Sequence, residues 1–305
     1  MIDLITHNFD GNRIPEIKCL NAGFVRLVDV MPRVSYDTEI TTCDHAVVQA
    51  ARVSYGDGTK KVSEDKGLIR YLMRHRHTTP FEMIEFKFHC SMPVFVARQW
   101  IRHRTANVNE MSGRYSVLPN KFYVPDLENV RQQSTKNKQV SEGQVEDMSA
   151  QEFINYIEEH CKKTYEEYEK FLGKEIGREQ ARMTLPLNLY TEWYWKIDLH
   201  NLMHFLALRC DGHAQQEIRV FADAMLSIVK KLCPWAMEAW EDYHPMRGAV
   251  TLSRLELQRL RDIIRSCRLG EMGQIDPIDE EVIPLNSGNK REDAEWIEKF
   301  SKLVS

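Results

Sequence analysis

The chain has 305 residues, 43% hydrophobic and 28% charged, with a formal net charge of -4. Those proportions suit a globular protein of one or two domains. A balance this close to neutral excludes a molecule drawn as a whole to nucleic acid or an anionic membrane, so any anion binding has to be local. The sequence has no run of ~18 apolar residues, so no membrane-spanning helix is expected. The opening MIDLITHNFDGNRIPEIK lacks the basic and apolar regions of a secretory signal. The seven cysteines are scattered and never form C-x-x-C. Neither a zinc site nor a disulfide framework is expected, and a reducing, cytoplasmic setting fits.

In chain order, residues 38–53 carry helical spacing through Ala46, Val47, Ala50 and Ala51, with Asp44 as a candidate cap. Residues 64–76 repeat it through Leu68, Ile69, Leu72 and Met73. In EMIEFKFHCSM, Ile84, Phe86, Phe88, Cys90 and Met92 alternate with more polar residues, which predicts a strand. Pro93 suits the first turn of a following helix, VFVARQWIRHR. Residues 125–144 are polar and read as a mobile surface loop. Ser149 and Glu152 are a candidate capping box for a helix to about Ile176 that buries Phe153, Ile157, Tyr165, Tyr168 and Leu172. Residues 190–208 and 213–233 read as helices, and Pro234 as the start of another. Beyond Pro245, LSRLELQRLRDIIRSCRLG reads as helical and GQIDPIDEEVIPLNSGNKRED (273–293) as loosely ordered. The pattern is α+β, with many helices and one modest sheet, and no G-x-G-x-x-G supports a dinucleotide fold.

The densest chemistry lies in RHRTANVNEMSGRYS, from Arg102 to Ser116. Arg98 and Arg102 are one helical turn apart, and His103 and Arg104 come next. Taken alone, such a triplet is most simply a basic helix end complementing the dipole. The residues after it are less ordinary. Glu110, Ser112 and Arg114 alternate, so an extended backbone would point all three to one side, and Gly113 admits a close neighbour. Guanidinium pairs match phosphate geometry. The set suits a nucleoside monophosphate with a polar ring. Three further clusters read alone as surface or junction: RHRHTTPFE (74–82), Arg182 before a proline break, and LRCDGHAQQEIR (208–219), where Arg209 ends an apolar helix.

Arg102-His103-Arg104, seven residues, then Ser112 resembles the signature of the flavin-dependent thymidylate synthases. AARVSYG (50–56), HTTPFE (77–82), FVARQWIRHR (95–104), NEMSGRYS (109–116), ARMTLPLNLYT (181–191) and LRCDGHAQQEI (208–218) are similar to family segments, in family order. The resemblance covers most of residues 24–245. It implies an α+β subunit with a mixed sheet and long flanking helices, in a homotetramer with active sites between subunits. It implies reductive methylation of dUMP to dTMP, with methylenetetrahydrofolate as carbon donor, NADPH as reductant and FAD as hydride relay.

By the same resemblance, Gln99, Arg102, Glu110, Met111, Ser112, Gly113, Arg114, Arg182 and Arg209 contact substrate. Arg209 stabilises the electron-rich uracil and is the candidate catalytic residue. Ser54, His77, Thr79, Arg102, His103, Arg104 and Glu110 contact FAD. Asp198, His200 and His204 stand where many relatives have asparagine, arginine and asparagine contacts to the flavin. Ser112 reads as a binding residue, because nothing in the sequence places a base beside it. Residues 1–245 are expected to form the synthase domain and 246–305 a helical extension without an assigned role. Two other readings remain open from sequence. One is a nucleotide-binding regulator that kept the fold and lost turnover. The other is an RNA-binding protein, against which the net charge counts.

Overall fold

Strict alternation organises the centre of the molecule. The structure, a computed structural model, describes residues 4–9, 12–32, 42–53, 65–135, 141–244, 250–266, 285 and 290–304. Six strands form one sheet in the order β1-β2-β3-β4-β8-β5. They are β1 (Leu4–Phe9), β2 (Asn12–Cys19), β3 (Gly23–Met31), β4 (Glu85–Pro93), β5 (Asn107–Glu110) and β8 (Tyr190–Asp198). Every pairing among them is antiparallel, rather than mixed. The α+β expectation holds, and the alternating segment is strand β4. Its start is later than expected, because Thr79–Met83 forms a 3-10 turn. The strands before residue 32 were not anticipated.

Residues 190–198 are not the helix that the sequence predicts. They form β8, the strand between β4 and β5. Trp193, Trp195 and Ile197 lie opposite Cys90, Phe88 and Phe86, all of them buried. Large apolar residues at every second position, interleaved with Glu192, Tyr194 and Lys196, fit a pleat with one buried face. Aromatic density had masked the period. Helix α6 (Leu199–Arg209) starts directly after the strand.

Helix α3 (Val94–Trp100), α6 and α7 (Gln216–Leu232) contribute to the core on this face. Trp100 is the wedge: its ring lies 5.3 Å from Trp193, 5.3 Å from Trp195 and 5.2 Å from Phe205. The opposite face carries a polar ladder. Arg26 Nε donates to Glu16 at 2.7 Å, Arg26 Nη1 lies 3.3 Å from His89 Nδ1, and His89 Nε2 lies 3.1 Å from Glu192.

Helix α1 (Asp44–Val53) starts later than expected, and residues 38–41 lie outside the described residues. Asp44 does not cap it. The buried carboxylate instead accepts from the backbone N–H groups of Trp235 at 2.9 Å and Ala236 at 3.0 Å, capping α8 (Pro234–Tyr243). Helix α2 (Asp65–Arg74) is as expected within two residues. The segment expected to be a loop holds a 3-10 turn at Leu127–Asn129 and a small pairing of β6 (Gln132–Gln133) with β7 (Ser141–Glu142). Helix α4 (Asp147–Gly173) begins before Ser149, so no capping box forms there. It buries Ile154, Cys161, Tyr165 and Tyr168, while Phe153 stays 47% exposed. A short helix, α5 (Arg178–Ala181), and a 3-10 turn from Arg182 precede β8.

The chain divides into two compact units, Met1–Tyr243 and His244–Ser305. In the second, α9 (Arg254–Ser266) and α10 (Lys290–Val304) bury Ile263, Leu285, Trp296 and Phe300. A capping box starts α9: Ser253 N–H donates to Glu256 at 2.6 Å, and Glu256 N–H to Ser253 Oγ at 3.3 Å. Helix α10 takes in residues 290–293, the end of the stretch expected to be loose; of the rest of that stretch only Leu285 lies within the described residues. Among the described residues, no helix is long and apolar enough to cross a membrane.

Candidate active site

Two local groups gather most of the candidate residues. The first forms where α3 ends. That helix stops at Trp100, so Arg102, His103 and Arg104 lie in the turn and loop beyond it rather than on a helix face shared with Arg98. The turn is closed by His103 N–H donating to the Trp100 carbonyl at 3.0 Å. Arg102 and Arg104 are exposed and His103 is partly buried. Its ring meets α6: edge-on to Phe205 at 4.9 Å, 6.1 Å from the His204 ring, and accepting from Arg209 Nε at 3.0 Å. Burial foremost, then the charges of Arg209 and His204, pushes the His103 pKa down to about 4. The ring is therefore neutral near pH 7. Gln99, one turn earlier, donates to the side-chain carbonyl of Gln215.

Helix α6 and its N-cap bring four members. Asp198 is its N-cap: one carboxylate oxygen accepts Asn201 N–H at 2.9 Å and the other accepts Asn201 Nδ2 at 2.6 Å. His200 and His204 stand four apart on one side. Arg209 ends the helix, partly buried, and among the described residues it has no carboxylate partner. Burial alone lowers its pKa, from a starting value so high that the guanidinium stays charged.

A groove of about 760 Å³ lies at the 3-10 turn Thr79–Met83, which packs on both α1 and α6. Tyr71, Leu68 and Met83 give it apolar walls, with Arg76, His77 and Thr79 as polar lining. Such a surface fits a planar ring system with polar substituents, as a flavin has. Ser54 lies outside the described residues, next in sequence to Val53, which also lines the groove.

The second group sits at the sheet edge. Strand β5 ends at Glu110, so Glu110, Ser112 and Arg114 do not continue in one extended line. The chain turns instead: Tyr115 and Ser116 N–H groups both donate to the Ser112 carbonyl at 3.1 Å, and Arg114 N–H donates to Ser112 Oγ at 3.2 Å. Turn-forming Ser and Gly overrode the alternation. Among the described residues no histidine or carboxylate is bonded to Ser112 Oγ. Met111 N–H donates to the Glu192 carbonyl at 2.8 Å. A Cβ on Gly113 would meet Leu118 at 3.0 Å and Arg182 Cδ at 3.2 Å, so the turn lies directly on Arg182. Arg114 pairs with Glu179 at 3.2 Å across an exposed surface.

Three contributors escaped sequence reading. Buried Thr191 donates to Glu110 Oε1 at 2.7 Å. It was hidden by the helical reading of β8. Gln215 and Phe205, which hold Gln99 and His103, lie in recognised segments but carry no signature of their own.

Comparisons with known proteins identify the family. A family profile described as "Thymidylate synthase complementing protein" matches residues 37–235. A flavin-dependent thymidylate synthase from Dictyostelium discoideum is 52% identical over 293 residues, covering 96% of this chain and 89% of that protein. One from Thermus thermophilus is 54% identical over 248 residues, covering 81% and 86%. Among solved structures, a UMP/dUMP methylase, PolB, from Streptomyces cacaoi bound with 5-Br dUMP superimposes with a TM-score of 0.64 at 34% identity, covering 74% of this chain and 98% of that one. The fold, the clustered Arg102-His103-Arg104 turn and these likenesses place the chain in the flavin-dependent thymidylate synthase family.

Proposed function

We propose that the chain catalyses reductive methylation of dUMP to dTMP, with FAD as the flavin, methylenetetrahydrofolate as carbon donor and NADPH as reductant. The observation that carries it is Arg209. A partly buried guanidinium without a carboxylate partner among the described residues is a preorganised positive charge, which favours a ligand that is or becomes anionic. Beside the ionisable N3 and adjacent carbonyl of uracil, it would stabilise negative charge developing on the ring. A bound reduced flavin supplies the hydride.

The chain's own residues bind and orient. Gln99, Arg102 and Arg209 serve substrate from one subunit. Glu110, Met111, Ser112, Gly113 and Arg114 serve it from another, and Arg182 supplies a further arginine against that turn. Glu110, Ser54, His77, Thr79, Arg102, His103, Arg104, His200 and His204 hold FAD. Asp198 contributes by starting α6, since both its oxygens are engaged by Asn201. The sheet geometry fits sites that draw residues from two subunits of the proposed homotetramer. Thr191, at the Glu110 end of β8, and Asp198, at the α6 end, are about 23 Å apart at ordinary strand rise. One nucleotide reaches both groups most simply when they come from different copies.

Flavin absorbance bands that shift on adding dUMP, together with tritium release from 5-labelled dUMP, are the expected result. Arg209→Ala should nearly abolish dTMP formation while the far-UV circular dichroism is unchanged. Substantial retained turnover would sink the role given to Arg209.

A further inference from the structure

We propose that His103 is a positioning residue for Arg209: its imidazole accepts the Arg209 Nε–H and thereby sets which edge of the guanidinium meets the substrate. The inference rests on the substrate role proposed for Arg209. Arg209 is the last residue of α6. A long side chain there keeps much of its rotamer freedom unless something holds it. No carboxylate does so among the described residues. The hydrogen bond that does run from the guanidinium is the 3.0 Å contact from Nε to His103 Nε2.

The chemistry of that contact is restrictive. Arginine has donors only. His103 can accept at Nε2 only as the neutral ring with its proton on Nδ1. A protonated ring would present N–H against N–H and charge against charge. The surroundings favour the neutral state. Phe205 covers the ring edge-on, and Arg209 and His204 face it from α6. From its own loop, its sequence neighbours are two further cations, Arg102 and Arg104. The His103 backbone N–H is tied to the Trp100 carbonyl, and Trp100 is locked in the core. The acceptor therefore stands on a fixed support.

With Nε–H consumed, Arg209 keeps the four N–H bonds of its two terminal nitrogens. These lie in one plane and offer an end-on fork. Such a fork fits two neighbouring acceptors on the edge of a planar ring. A side-on approach through Nε and one terminal nitrogen is closed while His103 holds Nε. His103 thus selects a single approach of cation to base and lowers the entropy lost on binding.

The test compares His103→Gln with His103→Asn in the flavin-loaded enzyme. A glutamine carbonyl reaches about where Nε2 lies, and an asparagine carbonyl about where Nδ1 lies. The readouts are dUMP dissociation constant, kcat and KM, normalised to flavin content from visible absorbance. Gln should stay within about threefold of the parent in dUMP affinity, and Asn should lose about tenfold or more, with His103→Ala behaving as Asn does. In an Arg209→Lys background, which lacks the planar Nε–H, Gln and Asn should become equivalent. Gln and Asn equally impaired in the Arg209 parent, or Asn the better of the two, would overturn the positioning role. Arg209→Ala retaining turnover would instead overturn the reading of Arg209 on which it rests.

Discussion

Gly113 shows how little space the turn at the sheet edge leaves. A methyl group there would meet Leu118 at 3.0 Å and Arg182 at 3.2 Å, closer than ordinary van der Waals contact. Gly113→Ala should therefore displace Arg182 by a few tenths of an ångström and weaken dUMP binding about three- to tenfold with little change in thermal stability. Isothermal titration with dUMP checks the first part and calorimetric melting the second. His103 gives a pH prediction. Its folded pKa of about 4 lies below the ordinary histidine value of about 6.5. Between those values the unfolded chain takes up a proton that the folded chain refuses. Stability is therefore full above the higher value and is lost as pH falls towards the lower one. His103→Gln, which cannot titrate, should flatten the fall in melting temperature between about pH 6.5 and 4. An unchanged slope would mean that the ring is not held neutral.

At the scale of elements, Asp44 ties two helices that are far apart in sequence. It sits in the first turn of α1 and caps α8 through two backbone N–H groups. Burial raises its pKa against those donors, so the charged form carries a desolvation cost near neutral pH. Asp44→Ala leaves two buried donors unpaired and should destabilise by about 2 kcal/mol. Asp44→Asn keeps an acceptor and sheds the charge, so its loss in denaturant melts should be clearly smaller. Sequence could identify Asp44 as a cap but not which helix it caps, because the first partner, Trp235, lies 191 residues on in the order of the chain. The same limit governs β8. Strand β4 was legible because polar residues separate its apolar ones. In YTEWYWKID, Tyr194 stands on the polar side and obscures the period. The candidate residues were legible as motifs, yet Thr191 was not, since its value comes only from being paired beside Glu110.

Over the whole molecule, each compact unit carries its own buried cluster. A chain ending after Tyr243 is expected to fold, keep flavin absorbance and lose only a separate melting step attributable to the second unit. Failure of that shorter chain to fold would show that residues 244–305 belong to the same cooperative unit. The aromatic wedge beneath the Arg102-His103-Arg104 turn has a consequence for spectroscopy. Trp100 and Trp193 are fully packed, and among the described residues their indole N–H groups have no hydrogen-bond partner. Indoles in so apolar a setting emit towards the blue. A flavin bound over that turn would absorb at those wavelengths, within energy-transfer range. Tryptophan quenching on adding FAD would then count flavin occupancy without any added label.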